Sequence, residues 1–193
     1  MNVPQAVSHT ATQPAEPLFL DISFVNHRSI GGNKFWLLIV NDFTHMKWSF
    51  FFKAKSDLST TVLHFLAKLQ GHNYTPQIIC LDNAEENLAF QKTVESKGLG
   101  IIFEFMAPNN PQQNGVVERA FATLYNRGRA MLTDAGLKSF LKETLWAKCF
   151  STETKLNVIT SKDGSITSFK SFYTTNYNLI TRNTFNLLDK RLT

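Results

Sequence analysis

Cysteine is scarce. The chain of 193 residues holds two, Cys80 and Cys149, both in apolar surroundings and far apart in sequence. That excludes a disulfide framework and a cysteine-based zinc site, and makes a reducing compartment, nuclear or cytoplasmic, the expected location. Long apolar runs are missing too. None approaches the roughly 18 residues of a membrane span, so no membrane partner is expected. Met1 to Pro17 is polar, without the basic-then-apolar order of a secretory signal, and reads as a flexible leader, residues 1–17. No cluster of five Lys or Arg marks a nuclear signal, the five histidines are scattered, and no segment repeats.

What is present suits one domain with a sizeable core. Hydrophobic residues make up 43% of the chain and phenylalanine alone contributes 17, many in short runs. The net charge of +5 and pI near 9.3 are compatible with a polyanionic partner such as nucleic acid.

The hydrophobic period divides the chain into elements. Leu18 to Val25 alternates, with Leu18, Leu20, Ile22 and Phe24 on one face and Asp21 on the other. Phe35 to Val40 is continuously apolar, as in a strand buried on both sides. Trp48 to Phe52 is a third strand, and the short connections make an antiparallel meander of the three. Leu58, Val62, Phe65, Leu66 and Leu69 then follow at helical spacing behind Ser56 as N-cap. Gln77 to Leu81 is a strand ending at Asp82. Leu88 to Lys97 is a helix closed by Gly98, and Ile101 to Phe105 is the last strand. The polar segment Ala107 to Gly115 reads as a loop. A helix is expected from Val116 to Ala135 and another from Ser139 to Ile159, with Leu141, Leu145, Cys149, Phe150 and Leu156 inward. Residues 161–193 lose their periodicity and are expected to form an irregular tail behind a core of residues 18–160. The order β-β-β-α-β-α-β-α-α predicts an α/β domain with a mixed five-stranded sheet and helices on both faces.

Three carboxylates stand where this patterning does not explain them. Asp21 interrupts an apolar strand, Asp82 ends another, and Glu118 lies just after a loop in the first turn of a helix. Each has an ordinary alternative. Asp21 suits a solvent-facing strand edge, Asp82 with Asn83 an Asx turn, and Glu118 the positive end of a helix dipole. Brought together, three acids repel one another, and a divalent cation relieves that. Magnesium favours carboxylate oxygens, and two ions about 4 Å apart can hold the attacking and leaving oxygens of a phosphodiester exchange.

The spacing and flanking residues carry a resemblance. Between Asp82 and Glu118 lie 35 residues. Asp21-Ile-Ser23, the run Gly31 to Leu38, Asp42-Phe-Thr44, Leu81-Asp-Asn83 and, most specifically, Ala107-Pro-Asn-Asn-Pro-Gln-Gln-Asn-Gly-Val-Val-Glu-Arg119 accompany them. Together they resemble the D,D-35-E integrase core of LTR retrotransposons, most closely of copia type, over about Leu18 to Ile159. Arg129-Ala-Met-Leu132 and Ala135-Gly-Leu137 are similar as well. The resemblance implies an RNase H-like fold and two reactions, trimming of the element's DNA ends and their transfer to target DNA. It implies two magnesium or manganese ions, with Asp21, Asp82 and Glu118 as catalytic metal ligands. Element-end and target DNA would be the partners. A homodimer or higher oligomer is also implied, through a helix face such as Phe140 to Phe150.

Around the acids, Asn110, Gln112, Gln113 and Asn114 could hydrogen-bond DNA. Arg119, Arg127 and Arg129 add positive charge, and positions 118, 122, 125 and 129 share a helix face, which would turn Tyr125 and Arg129 toward the acids. A solvated loop and a solvated charged face are the plain alternatives. His64 and His72 read as helix-surface residues.

The sequence also departs from the family. Copia-type cores usually continue the second Asp as Asn-Gly-Gly-Glu-Phe, where this chain has Asn83-Ala-Glu-Glu-Asn87. Ala120-Phe121-Ala122 is apolar where basic and polar residues are common. Residues 1–17 hold His9 but no cysteine, so no His/Cys zinc domain is read there, and the tail is short for a basic DNA-binding region. An active core fragment is thus one expectation. A degenerate relic that only binds nucleic acid or a partner is the other. A hybrid-cleaving RNase H-like nuclease is disfavoured by the Asn110 to Arg119 motif.

Overall fold

The computed structural model describes residues 15–82, 84–106, 111–161 and 165–173. Strands β1 (Leu18–Phe24), β2 (Phe35–Asn41) and β3 (Lys47–Phe52) form the meander, and helix α1 (Asp57–Gly71) follows. Next come β4 (Ile78–Asp82), α2 (Glu85–Glu95) and β5 (Ile102–Met106), then α3 (Pro111–Asp134), α4 (Ser139–Ile159) and α5 (Ser168–Tyr173). The sheet runs β3-β2-β1-β4-β5. β1 pairs antiparallel with β2 and β2 with β3, while β4 lies parallel to β1 and β5 parallel to β4.

The alternation along the strands sorts the core into two layers. Leu18, Leu20, Leu37, Ile39, Phe52, Ile79 and Leu81 pack with α1, α2 and α5. Trp36, Leu38 and Val40 face the other way, against Val117, Ala120 and Leu124 of α3 and Trp146 and Phe150 of α4. β2 is therefore buried on both sides, as its unbroken apolar run predicts. Asp21 points from β1 to the α3 side, opposite Leu18 and Leu20 in the pleat. At the β2–β3 turn, Asn41 accepts from the Thr44 backbone N–H and hydroxyl, and its own amide donates to the Pro17 carbonyl.

Helix α3 lies close to α4 because of one residue. A Cβ built on Gly128 would stand 2.3 Å from Phe150 Cδ1 and 2.5 Å from Cε1. Only glycine leaves room for that ring, which stacks on Trp36 at 4.6 Å between centroids. Beneath them runs a polar thread: the Trp36 indole N–H donates to Ser49 Oγ at 2.8 Å, and Ser49 shares a 2.7 Å hydrogen bond with Thr154.

Three expectations need correction. Helix α3 begins at Pro111, not Val116. Proline suits a first helical turn, where its missing N–H costs nothing, so the polar stretch enters the helix. Leu156 is not inward but 40% exposed, and Trp146, Ala147, Glu153 and Thr154 are buried on α4 instead. Ser56 does occupy the N-cap of α1 as expected, though without a capping side-chain hydrogen bond, while the Asp57 carboxylate accepts from the Ala54 N–H at 3.2 Å. The segment after Ser161 is not irregular throughout, since α5 buries Phe172 against Trp48 and Tyr74. The Tyr74 hydroxyl donates to the Phe172 carbonyl at 2.7 Å. The helix face suggested for self-association is also divided. Phe140 is 61% exposed, but Phe150 is spent inside the fold.

Candidate functional site

The parallel register of β1 and β4 brings the first two acids together. Leu18 lies beside Ile79 and Phe19 beside Cys80. Continued two residues, that register sets Asp21 next to Asp82 at the end of β4. Glu118 comes from α3, which crosses the same sheet face. With Asp21 it lines an open recess of about 330 Å³, completed by Ile22, Ser23, Trp36, Phe121, Ala122 and Tyr125.

Electrostatics show that the three carboxylates interact. Asp21 is pushed from the usual carboxylate range up to about 6. Burial is the main cause, and the negative charges of Asp82 and Glu118 add to it. The Ile22 backbone N–H, which donates to Asp21 Oδ1 at 2.7 Å, opposes the shift without overcoming it.

Asp82 has a partner that the sequence did not announce. The Asn87 side-chain amide donates to Asp82 Oδ1 and, at 3.1 Å, to the Asp82 carbonyl. Asn87 is buried, in the first turn of α2, where the resemblance leads one to expect phenylalanine. The departure was visible in the sequence, but its contact with the second acid was not.

Tyr125 shares the recess with the acids, and the Arg129 guanidinium lies over its ring at 5.7 Å. Arg119 is exposed and folds back over Gly115, outside the recess. Gln112, Gln113 and Asn114 fall in the first turns of α3, but their side chains, like the whole of Asn110, lie outside the described residues. Trp36 was missed as a site residue. Its apolar run signalled a buried strand, with nothing to say that its indole would form part of the recess.

The donor set fits a hard divalent cation: three carboxylates, oxygen ligands only, with a mutual repulsion that a cation would relieve. The expected pair of ions is not matched by a ready-made ligand cluster, however. Among the described residues no three His, Cys, Asp or Glu stand close enough together to hold one. Asn87 donates to one Asp82 oxygen and leaves the other open.

Comparison with solved structures identifies the architecture. The BIV integrase catalytic core domain superposes with a TM-score of 0.61 at 20% identity, covering 86% of this chain and 97% of that one. The HTLV-2 integrase catalytic core domain, solved in complex with magnesium, gives 0.58 at 18%, covering 84% and 99%. This is an integrase-core fold. A simian T-cell lymphotropic virus intasome chain also matches it, with a TM-score of 0.66 at 18% identity over 89% of this chain and 59% of that one.

In sequence, the chain is similar to retrotransposon proteins. It is 29% identical over 124 residues to the retrovirus-related Pol polyprotein from transposon TNT 1-94 of Nicotiana tabacum, 63% of this chain. It is 23% identical over 143 residues to that of transposon RE2 of Arabidopsis thaliana, 74% of this chain. The chain spans 9% of the length of either relative. No family model matches it. The mixed five-stranded sheet predicted from element order, and the RNase H-like fold implied by the resemblance, are thus the architecture observed. Among the described residues no helix is long and apolar enough to cross a membrane.

Proposed function

We propose that this chain is the catalytic core of a copia-type retrotransposon integrase, which trims the 3′ ends of element DNA and joins them to target DNA. The observation that carries this is Asp21, a partly buried carboxyl in a strand, raised to about 6 mainly by that burial and further by the charges of Asp82 and Glu118, with Glu118 lining the same recess. Acids scattered over the surface would not add to the shift in this way, because water screens exposed charges from one another.

In this reading the three carboxylates would hold magnesium or manganese. When bound, the metal neutralises charge at the phosphodiester and makes an oxygen nucleophile available. The chain's own residues do the rest. Asp21 comes from the middle of a doubly flanked strand and Glu118 from a helix packed on the sheet, so both stand on rigid elements. Trp36 and Phe121, in T-shaped contact at 4.7 Å, form an apolar part of the recess lining and limit water there. Arg129 and Arg119 would contact DNA phosphate, as would the polar residues before Gly115, and such contacts weaken steeply with salt. Synapsis of two DNA ends would take two or more copies, with the exposed Phe140 end of α4 as a contact surface.

The second reading is a relic that keeps the fold and binds nucleic acid without cutting it. The hydrogen bond from Asn87 to the Asp82 carboxylate favours it, since it holds that carboxylate in one orientation, which an ion would have to match or shift. Disintegration of a branched DNA substrate, titrated with magnesium or manganese, separates the two. Activity that is abolished in Asp82→Asn and Glu118→Gln supports the enzyme. Metal binding without activity, or no metal binding at all, supports the relic.

A further inference from the structure

The recess beside the acids has an aromatic wall for which cation binding has no use. Tyr125 lies two turns beyond Glu118 on α3 and is 45% exposed, unusual for a large ring that lines a recess. Phe150 braces it from within, with centroids 5.5 Å apart, and Phe150 in turn is fixed against Trp36. Between Glu118 and Tyr125 on the same face stands Ala122, whose single methyl leaves the space between acid and ring open. A flat cationic group, the Arg129 guanidinium, already lies over the ring.

We propose that this recess receives an unpaired nucleobase at a DNA end, stacked on Tyr125, with Arg129 moving from the ring to the adjoining phosphate. Stacking on an aromatic side chain accepts any base, because every base has a π-face. A base inside a duplex has both faces taken by its neighbours, and a terminal pair is held square to the helix axis, so an unpaired base, free to turn, is the one that fits the platform. An exposed cation–ring contact is weak enough to be exchanged for a base. The guanidinium it frees is the group best suited to a phosphate. The proposal rests on the reading of the acids as a DNA-processing site, because it places the unpaired nucleotide beside them.

The test is a duplex whose end carries two unpaired nucleotides, one of them 2-aminopurine, titrated with the whole chain in EDTA. The wild type and Tyr125→Phe should quench the fluorophore. Tyr125→Ala should lose the quench and bind the unpaired end about 10-fold more weakly, with affinity for a blunt duplex unchanged in all three. No quench with the wild type overturns the proposal without recourse to a variant. Undiminished quench in Tyr125→Ala, or equal losses on blunt and unpaired ends, overturns it as well. The disintegration assay fails independently: lost acid-dependent cleavage with the quench intact would remove the enzymatic reading and leave the platform.

Discussion

Replacing Gly128 by alanine should destabilise the protein, although alanine is the better helix former. In an exposed helix the exchange would gain about 1 kcal/mol. Here the new Cβ meets Phe150 carbons at 2.3 and 2.5 Å, against an optimal carbon–carbon separation of about 3.5–4.0 Å. The ring or the helix must therefore move by about 1 Å or more. The ring has little freedom, with Trp36 stacked at 4.6 Å and Tyr125 and Trp146 at 5.5 and 5.9 Å. Overpacking of this kind costs about 1–3 kcal/mol, sometimes more, and the close backbone approach places this site at the upper end. The net effect should be a loss of about 1–2 kcal/mol, read as a lower urea midpoint at unchanged slope and a Tm lower by about 3–8 °C. Combining Gly128→Ala with Phe150→Leu should cost less than the two changes summed, because the smaller side chain relieves the clash. A Gly128→Ala protein as stable as the wild type, or additive costs in the double variant, would refute the packing argument. Glu118, Phe121 and Tyr125 ride on the same helix, so the displacement should also reach the recess.

Three further outcomes follow from the same geometry. Phe172→Ala should cost about 3–5 kcal/mol in urea unfolding, as for a buried aromatic, whereas a loss under 1 kcal/mol would mean that α5 is not part of the core. Burial, with Glu104 beside it, pushes the Cys80 thiol up to about 12. Native-state labelling by a thiol reagent at pH 8 should therefore proceed at the same rate in Cys80→Ser as in the wild type, and a slower rate in the variant would contradict this. Asp21 binds its proton up to about pH 6 in the folded chain and only to about 3.9 when unfolded. Between these values the native state holds more protons, so metal-free stability should fall as pH rises and level off above about 6. The full decline is at most about 3 kcal/mol, and Asp21→Asn should remove it; identical pH profiles of the two proteins in EDTA would sink the assignment.

Much of this fold was legible because its strands differ in kind. The meander announced itself by the alternation around Asp21 and the unbroken run of β2, and the switch to helical spacing at Leu58 marked the first crossover. The order of elements then allowed few sheets, and the one observed is among them. What failed was local. The start of α3 was set too late because Pro111 among polar residues reads equally as loop and as first helical turn. The tail was dismissed because six residues of α5 cannot establish a period, although Phe172 alone ties them to Trp48 and Tyr74. Gly128 carried no signal of its own in the sequence, and only the α4 ring across from it shows why it is there.

The acids divide along the same line. Asp21 was conspicuous as a charge in an apolar strand, and Asp82 and Glu118 were singled out by their spacing; the structure puts Asp21 and Glu118 in one recess, with Asp82 near enough to act on Asp21. The state of Asp82 was not. Asn87 lies five residues further on, across a strand-to-helix turn, and its amide holds both the carboxylate and the carbonyl of Asp82. A phenylalanine there, as the resemblance leads one to expect, would pack without donating a hydrogen bond, leaving all of the Asp82 oxygens for an ion. The substitution therefore acts on the second acid itself, without altering any of the three. Metal binding by this chain then turns on whether three mutually repelling carboxylates can gather round a divalent cation while a buried amide fixes the orientation of one of them. Asn87→Ala answers that directly: tighter magnesium binding by calorimetry would show that the amide restrains the site, and unchanged binding would show that it does not.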